Sequence, residues 1–142
     1  MTWTDFETEV QRLRSGGVVT LATQTVFNFG DPRKCADDIV ASVGFKPLGS
    51  RWLLIDAVEA REFLSALLHQ DLAYGVEIMP MADATRLATY FTGLATTDTT
   101  FLTNLTNAAG RSWDSIASST FDAGIIRVEP QNSSIIWFVD ED

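Results

Sequence analysis

Phe121-Asp122-Ala123-Gly124-Ile125-Ile126-Arg127-Val128 and Ser134-Ile135-Ile136-Trp137-Phe138-Val139 are the two runs whose reading decides the fold. Both are rich in β-branched and aromatic residues, and Glu129-Pro130-Gln131-Asn132-Ser133 separates them. That pattern predicts an antiparallel hairpin with a five-residue loop. Along the second run Ile135, Trp137 and Val139 fall on one face, while Ile136 and Phe138 fall on the other. At least one of those faces belongs to the core.

Upstream of the hairpin, strand and helix patterns alternate. Trp52-Leu53-Leu54-Ile55 is apolar on both faces, the pattern of a central strand. Asp56 with Glu59 forms a capping box that opens a helix through Phe63, Leu64, Leu67 and Leu68. Asp31-Pro32 starts another, running through Cys35, Ile39, Val40 and Val43 to Gly44. Thr4 and Glu7 form a capping box for a helix bearing Phe6, Val10 and Leu13, which Gly16-Gly17 stops. Val18–Ala22 is a strand, and Val26-Phe27-Asn28-Phe29 reads as a short second one. Leu72–Met79 reads as a strand with Val76 and Ile78 on one face, followed after Pro80 by a helix carrying Leu87, Ala88, Phe91 and Leu94. Phe101, Leu102 and Leu105 read as helix. The expected architecture is α+β: a single mixed sheet of about four to six strands, helices packed on it, and the antiparallel hairpin at the C-terminus. Trp52–Ile55 and one hairpin strand are its expected central members.

The 142 residues, 46% of them hydrophobic and 20% charged, exclude a disordered chain and fit one globular domain spanning 1–142. A single cysteine leaves no internal disulfide. With 19 acids against 10 bases the net charge is -9, which disfavours nucleic acid and anionic membranes as partners and reads either as a solubility reserve or as complementarity to a basic protein surface. Residues 112–142 alone hold six acids and one base. Met1–Glu7 lacks a basic leader and an apolar run, so the cytoplasm is the expected location.

Catalytic signatures are sparse. Cys35 and His69, unique in the chain, fall on different helices, and each has a structural reading: packing for the thiol, and a helix C-terminal cap for the ring. One Cys and one His cannot build a structural zinc site, and Asp37-Asp38 reads as a solvated face. No phosphate-binding glycine loop or nucleophile elbow occurs, and no cofactor is expected. Arg33 and Lys34, beside the helix start at Asp31, form a weak anion site in competition with ordinary capping.

The remaining candidate is a contact surface in the last third. Trp113, Trp137 and Phe138 are interleaved there with Asp114, Asp122, Glu129, Asp140, Glu141 and Asp142, an aromatic group within an acidic rim. The competing reading is a strand buried on both faces. The functional expectation is a non-catalytic acidic domain that occludes a basic protein partner. In general character it is similar to the bacterial immunity proteins that neutralise toxins, although no motif establishes the likeness. The alternative is a small-molecule enzyme or ligand-binding domain whose site assembles from scattered polar residues.

Overall fold

The fold is seen in a computed structural model that describes residues 1–27, 29–106, 112–118 and 121–140. In chain order its elements are α1 (Trp3–Leu13), β1 (Val18–Thr25), α2 (Pro32–Ser42), β2 (Leu53–Ile55), α3 (Ala57–His69), α4 (Met81–Thr92), β3 (Thr100–Thr103), β4 (Phe121–Val128) and β5 (Asn132–Asp140). The strands form one sheet in the order β1-β5-β4-β3-β2. It has the size, the helices and the terminal hairpin expected from the sequence. Where alternating strands and helices suggested mixed pairing, every pairing of these strands is antiparallel.

Two cores flank the sheet. Phe6 and Val10 of α1, Leu64, Leu67 and Leu68 of α3, and Leu87 and Phe91 of α4 pack with Phe101, Ile125, Ile136 and Phe138 on one face. On the other face, Ile39 and Val40 of α2 pack with Trp52, Leu102, Ile116, Ile126, Ile135 and Trp137. Alternate residues of β4 and β5 therefore enter opposite cores, as period-two geometry requires. Gly124 lets the sheet close on Trp137. A Cβ there would stand 2.2 Å from the Ile136 carbonyl oxygen and 2.6 Å from the indole.

Several boundaries differ from the sequence reading, each for a local reason. The hairpin loop is shorter than five residues, because Asn132, Ser133 and Ser134 join the ladder opposite Thr25, Gln24 and Thr23. The first helix starts earlier: Thr2 and Asp5, not Thr4 and Glu7, form its capping box. That frame brings Trp3 into the first turn, 5.3 Å from Phe6 and 6.3 Å from Phe91 between ring centroids. The Thr2 backbone N–H is the chief reason that the Asp5 carboxyl is held below its ordinary pKa.

Strand Leu53–Ile55 is an edge and not a central member, since β3 is its one strand neighbour among the described residues. Its apolar excess is explained by Trp52, which precedes the strand and packs into the α2 core. Leu72–Met79 is a turn region and not a strand. The Asp71 carboxylate accepts from the N–H groups of Tyr74 (3.2 Å) and Val76 (2.8 Å), folding the segment back on itself. Phe101 and Leu102 belong to a strand and not a helix; their side chains enter opposite cores, and Thr103 donates its hydroxyl to the Gly124 carbonyl at 2.7 Å. Val26–Phe29 forms no strand in its described residues, although Val26 N–H extends the β1 ladder by one bond to Gln131. Leu94 lies beyond the end of α4, not on its buried face.

Behind these elements lies a buried ion pair. The Arg14 guanidinium forks onto both carboxylate oxygens of Asp140 at 3.1 and 2.8 Å. Its Nε donates to the Leu67 carbonyl at the end of α3, and Nη1 also reaches the Gly16 carbonyl. Asp140 accepts in addition from Leu72 N–H at 2.7 Å. Asp140→Asn leaves the guanidinium buried without its counter-charge, and urea denaturation should record a loss of about 3–5 kcal/mol. A loss within experimental error would show that the pair carries no weight in the fold.

Candidate functional site

The proposed C-terminal contact surface is not assembled as the sequence suggested. Trp137 and Phe138 are fully buried on opposite faces of the sheet. Trp137 meets Trp52 edge-on at 6.0 Å, and Phe138 lies under the Arg14 guanidinium at 4.6 Å. Asp122 is a structural hub, accepting from Trp137 Nε1 (3.0 Å), Ile116 N–H (2.9 Å), Ala117 N–H (3.1 Å) and the Ser115 hydroxyl. Asp140 is committed to Arg14. Asp122 and Asp140 are the buried carboxylates among the described residues. The physical reason is strand position: β5 lies inside the sheet with helices over both faces, so neither side-chain set reaches solvent.

The other members of the group are dispersed. Trp113 is half-buried, with its ring 6.2 Å from Phe121. Asp114 faces Arg51 at 3.5 Å, and Glu129 is paired with Arg127. Glu141 and Asp142 lie outside the described residues.

Cys35 and His69 occupy helices on opposite sides of the sheet and cannot act together. Desolvation raises the Cys35 thiol pKa, and Asp38 and Asp31 add to the shift, so the reactive thiolate is disfavoured. His69 Nδ1 is 2.7 Å from the Met79 carbonyl oxygen, a contact across a turn and not a cap on its own helix. At the start of α2 the Asp31 carboxylate takes the Lys34 N–H (3.2 Å), while the Lys34 ammonium faces Asp38 at 3.9 Å. Asp31 thus occupies the place an anion beside Arg33 and Lys34 would need. Asp37 is not a solvated acid: it accepts from Trp52 Nε1 at 2.7 Å and from the Leu48 and Gly49 N–H groups at 3.1 Å each. No three His, Cys, Asp or Glu residues form a metal-holding group among the described residues. No helix among them is long and apolar enough to cross a membrane.

Of the surface clefts, one lies on α1 and one at the end of α3 beside Trp113, and two flank the C-terminal half of β1. One cleft of about 240 Å³ lies on the α2 side, lined by Gln24, Thr25, Val26, Cys35, Asp38 and Ser133. Phe27, 91% exposed, stands at its rim. A second cleft of about 370 Å³ lies on the α4 side. Trp3, Tyr90 and Phe91 line it with Thr23 and the Arg127–Glu129 pair. Arg127 is fixed there by the carbonyls of Phe91 (2.8 Å) and Gly93 (2.6 Å), which terminate α4.

Leu94, 97% exposed, marks the rim of the second cleft and is held at φ 56°. It is the non-glycine residue with positive φ among those described. That conformation costs a leucine roughly 1–2 kcal/mol, and strain of this sort persists where the surroundings impose it. The helical spacing of Leu87, Phe91 and Leu94 concealed it; the available signal was Gly93, which ends the helix.

Chemically, these clefts offer aromatic and aliphatic walls, hydroxyls, an amide and carboxylates, a set suited to holding side chains. Comparison with known proteins finds no matching family model, no matching curated protein and no matching solved structure. Leu94→Gly removes the backbone strain and a side chain that packs on almost nothing. It should raise stability by roughly 0.5–1 kcal/mol in urea denaturation. A destabilised variant would show that the leucine supports the fold.

Proposed function

We propose that this chain is a non-catalytic protein-binding domain whose acidic surface occludes a basic protein partner, working in the cytoplasm in the general manner of a bacterial immunity protein. The observation that carries the reading is the pair of clefts beside β1, each rimmed by an almost fully exposed apolar side chain, Phe27 or Leu94. Large apolar groups in that setting act as anchors when a partner desolvates them. Strain retained at Leu94, where a glycine would relax it, supports a role outside the fold.

Charge supports the choice of partner. The chain carries -9 overall, and Asp38 places an exposed carboxylate in the cleft on the α2 side, while Glu129 in the other is balanced by Arg127. Complementary charge steers encounter and rejects acidic competitors, whereas buried anchors set the lifetime of the complex.

The test is retention of a partner by the tagged full chain in its own cells, followed by binding kinetics on the purified pair. The partner should be basic, with a dissociation constant that rises with ionic strength. Phe27→Ala or Leu94→Ala should speed dissociation by about 30-fold, the equivalent of roughly 2 kcal/mol at a hot spot. His69→Ala, at a residue that lines neither cleft, should bind like the parent while losing about 1 kcal/mol of stability with its bond to Met79. An acidic partner, or unchanged dissociation in both anchor variants, would overturn the reading.

A further inference from the structure

We infer that β1 is a docking edge, where an extended basic segment of the partner adds to the sheet as a further strand and places alternate side chains in the two clefts. The inference rests on the protein-binding reading and specifies its geometry.

The edge itself is open. Among the described residues β5 is the one strand neighbour of β1, and the run Val18–Thr25 has neither a charged residue nor a proline. Charges and prolines are the usual devices that keep an edge strand from recruiting another chain. The opposite edge, Leu53–Ile55, offers only three residues. Which backbone groups of β1 are free follows from the ladder. Val26 N–H donates to Gln131, and Val18, Thr20, Ala22 and Gln24 share its parity in the antiparallel register, so their backbone groups turn toward β5. Val19, Leu21, Thr23 and Thr25 turn theirs outward. Gln11 confirms the parity by donating to the outward carbonyl of Val19 at 3.0 Å, which leaves Leu21, Thr23 and Thr25 as the docking stretch.

The clefts match this stretch on both faces. Thr23 lines the cleft on the α4 side and Gln24 the cleft on the α2 side. A strand laid about 4.8 Å beyond β1 turns successive side chains to opposite faces, toward one cleft and then the other. This is strand addition, in which main-chain bonds give affinity and alternating pockets give selectivity.

Charge and hydrogen bonding identify the occupant as a basic segment. On the α2 side the cleft presents the Asp38 carboxylate, still half exposed with the Lys34 ammonium at 3.9 Å, beside Gln24, whose buried Oε1 has no hydrogen-bond donor. On the α4 side Glu129 already neutralises Arg127. A lysine or arginine on the α2 side meets the exposed Asp38 carboxylate and complements the net charge of -9, while an apolar side chain on the α4 side suits the wall of Trp3, Tyr90 and Phe91. A second copy of this chain paired through β1 would bring only Val, Thr, Leu, Ala and Gln side chains to the clefts.

The probe is a nine-residue peptide of alternating Lys and Val, capped at both ends and titrated into the full chain. Amide hydrogen exchange, followed residue by residue by NMR, should slow at least tenfold at Leu21, Thr23 and Thr25. The amides of Ala22 and Gln24, already bonded to β5, should not change. The same peptide N-methylated at alternate residues should fail to bind, and a Glu–Val peptide should bind at least tenfold more weakly. Thr23→Pro and Thr25→Pro each remove an outward N–H that the native ladder does not use, so the variants should fold and lose the peptide. Equal binding of the Glu–Val peptide, or no binding of the Lys–Val peptide at millimolar concentration, overturns the proposal. Concentration-dependent protection of the same three amides without peptide, with a dimer in sedimentation, overturns it in favour of self-pairing. Lys–Val binding with unprotected edge amides overturns strand addition while leaving the basic-partner reading intact.

Discussion

The Arg14–Asp140 pair joins parts of the chain that are distant in sequence, and much of the remaining geometry is referred to it. Burying two charges is costly unless each finds a full set of partners. Here the guanidinium engages both oxygens of Asp140 and the carbonyls of Gly16 and Leu67, and Asp140 also receives Leu72 N–H. These bonds tie the end of α1, the approach to β1, the end of α3 and the end of β5 to one point. Gly17 completes the arrangement: at φ 68°, a Cβ there would lie 1.9 Å from Asp140 Oδ1. The first strand and the last are thereby brought side by side, which is what places β1 at the sheet's edge.

A second pair of carboxylates organises the opposite face. Asp37 receives the Trp52 indole and Asp122 the Trp137 indole, and the two rings meet at 89°. Each indole has one donor to satisfy, and each aspartate also gathers two backbone N–H groups from a loop. The loops at 48–49 and 116–117 are therefore held against the α2 core by charge as well as by packing. Acids that look like surface charge in the composition are thus partly internal fasteners. The -5 of residues 112–142 overstated the acidity that this segment presents to solvent.

What was legible in the sequence follows the reach of each signal. Local signals held at Asp31-Pro32 and Asp56/Glu59, which begin helices, and in the runs at 121–128 and 134–139, which pair, but not at Thr4/Glu7 or Leu72–Met79. The alternation of Ile135 and Trp137 with Ile136 and Phe138 also holds, yet alternation alone cannot say whether a second layer covers the other face. That depended on where α2 packs. The same limit hid Asp37 and Asp140, whose partners lie 15 and 126 residues away. Thr-rich segments failed for a different reason. At 100–103 β-branched residues suit strands on their own account, and the apolar spacing was outweighed by pairing with β2 and β4.

The clefts beside β1 border two irregular chain exits, and the first is the end of α4. Arg127 binds the carbonyls of Phe91 and Gly93, so the last turn is held by a side chain of the central strand and the chain must leave it abruptly at Leu94. The exit turns the leucine outward instead of back over the sheet, leaving Trp3, Tyr90 and Phe91 as a wall above Thr23 and Ser134. The cleft on the α2 side arises similarly. Past Thr25 the chain adds one ladder bond at Val26 and then turns toward α2, carrying Phe27 into solvent beside Gln24 and Asp38. Both irregular exits therefore border the stretch of β1 whose backbone groups have no strand beside them. A preformed sheet edge with a cleft on each face suits an extended partner, because little further ordering of this chain is needed when the partner adds to it.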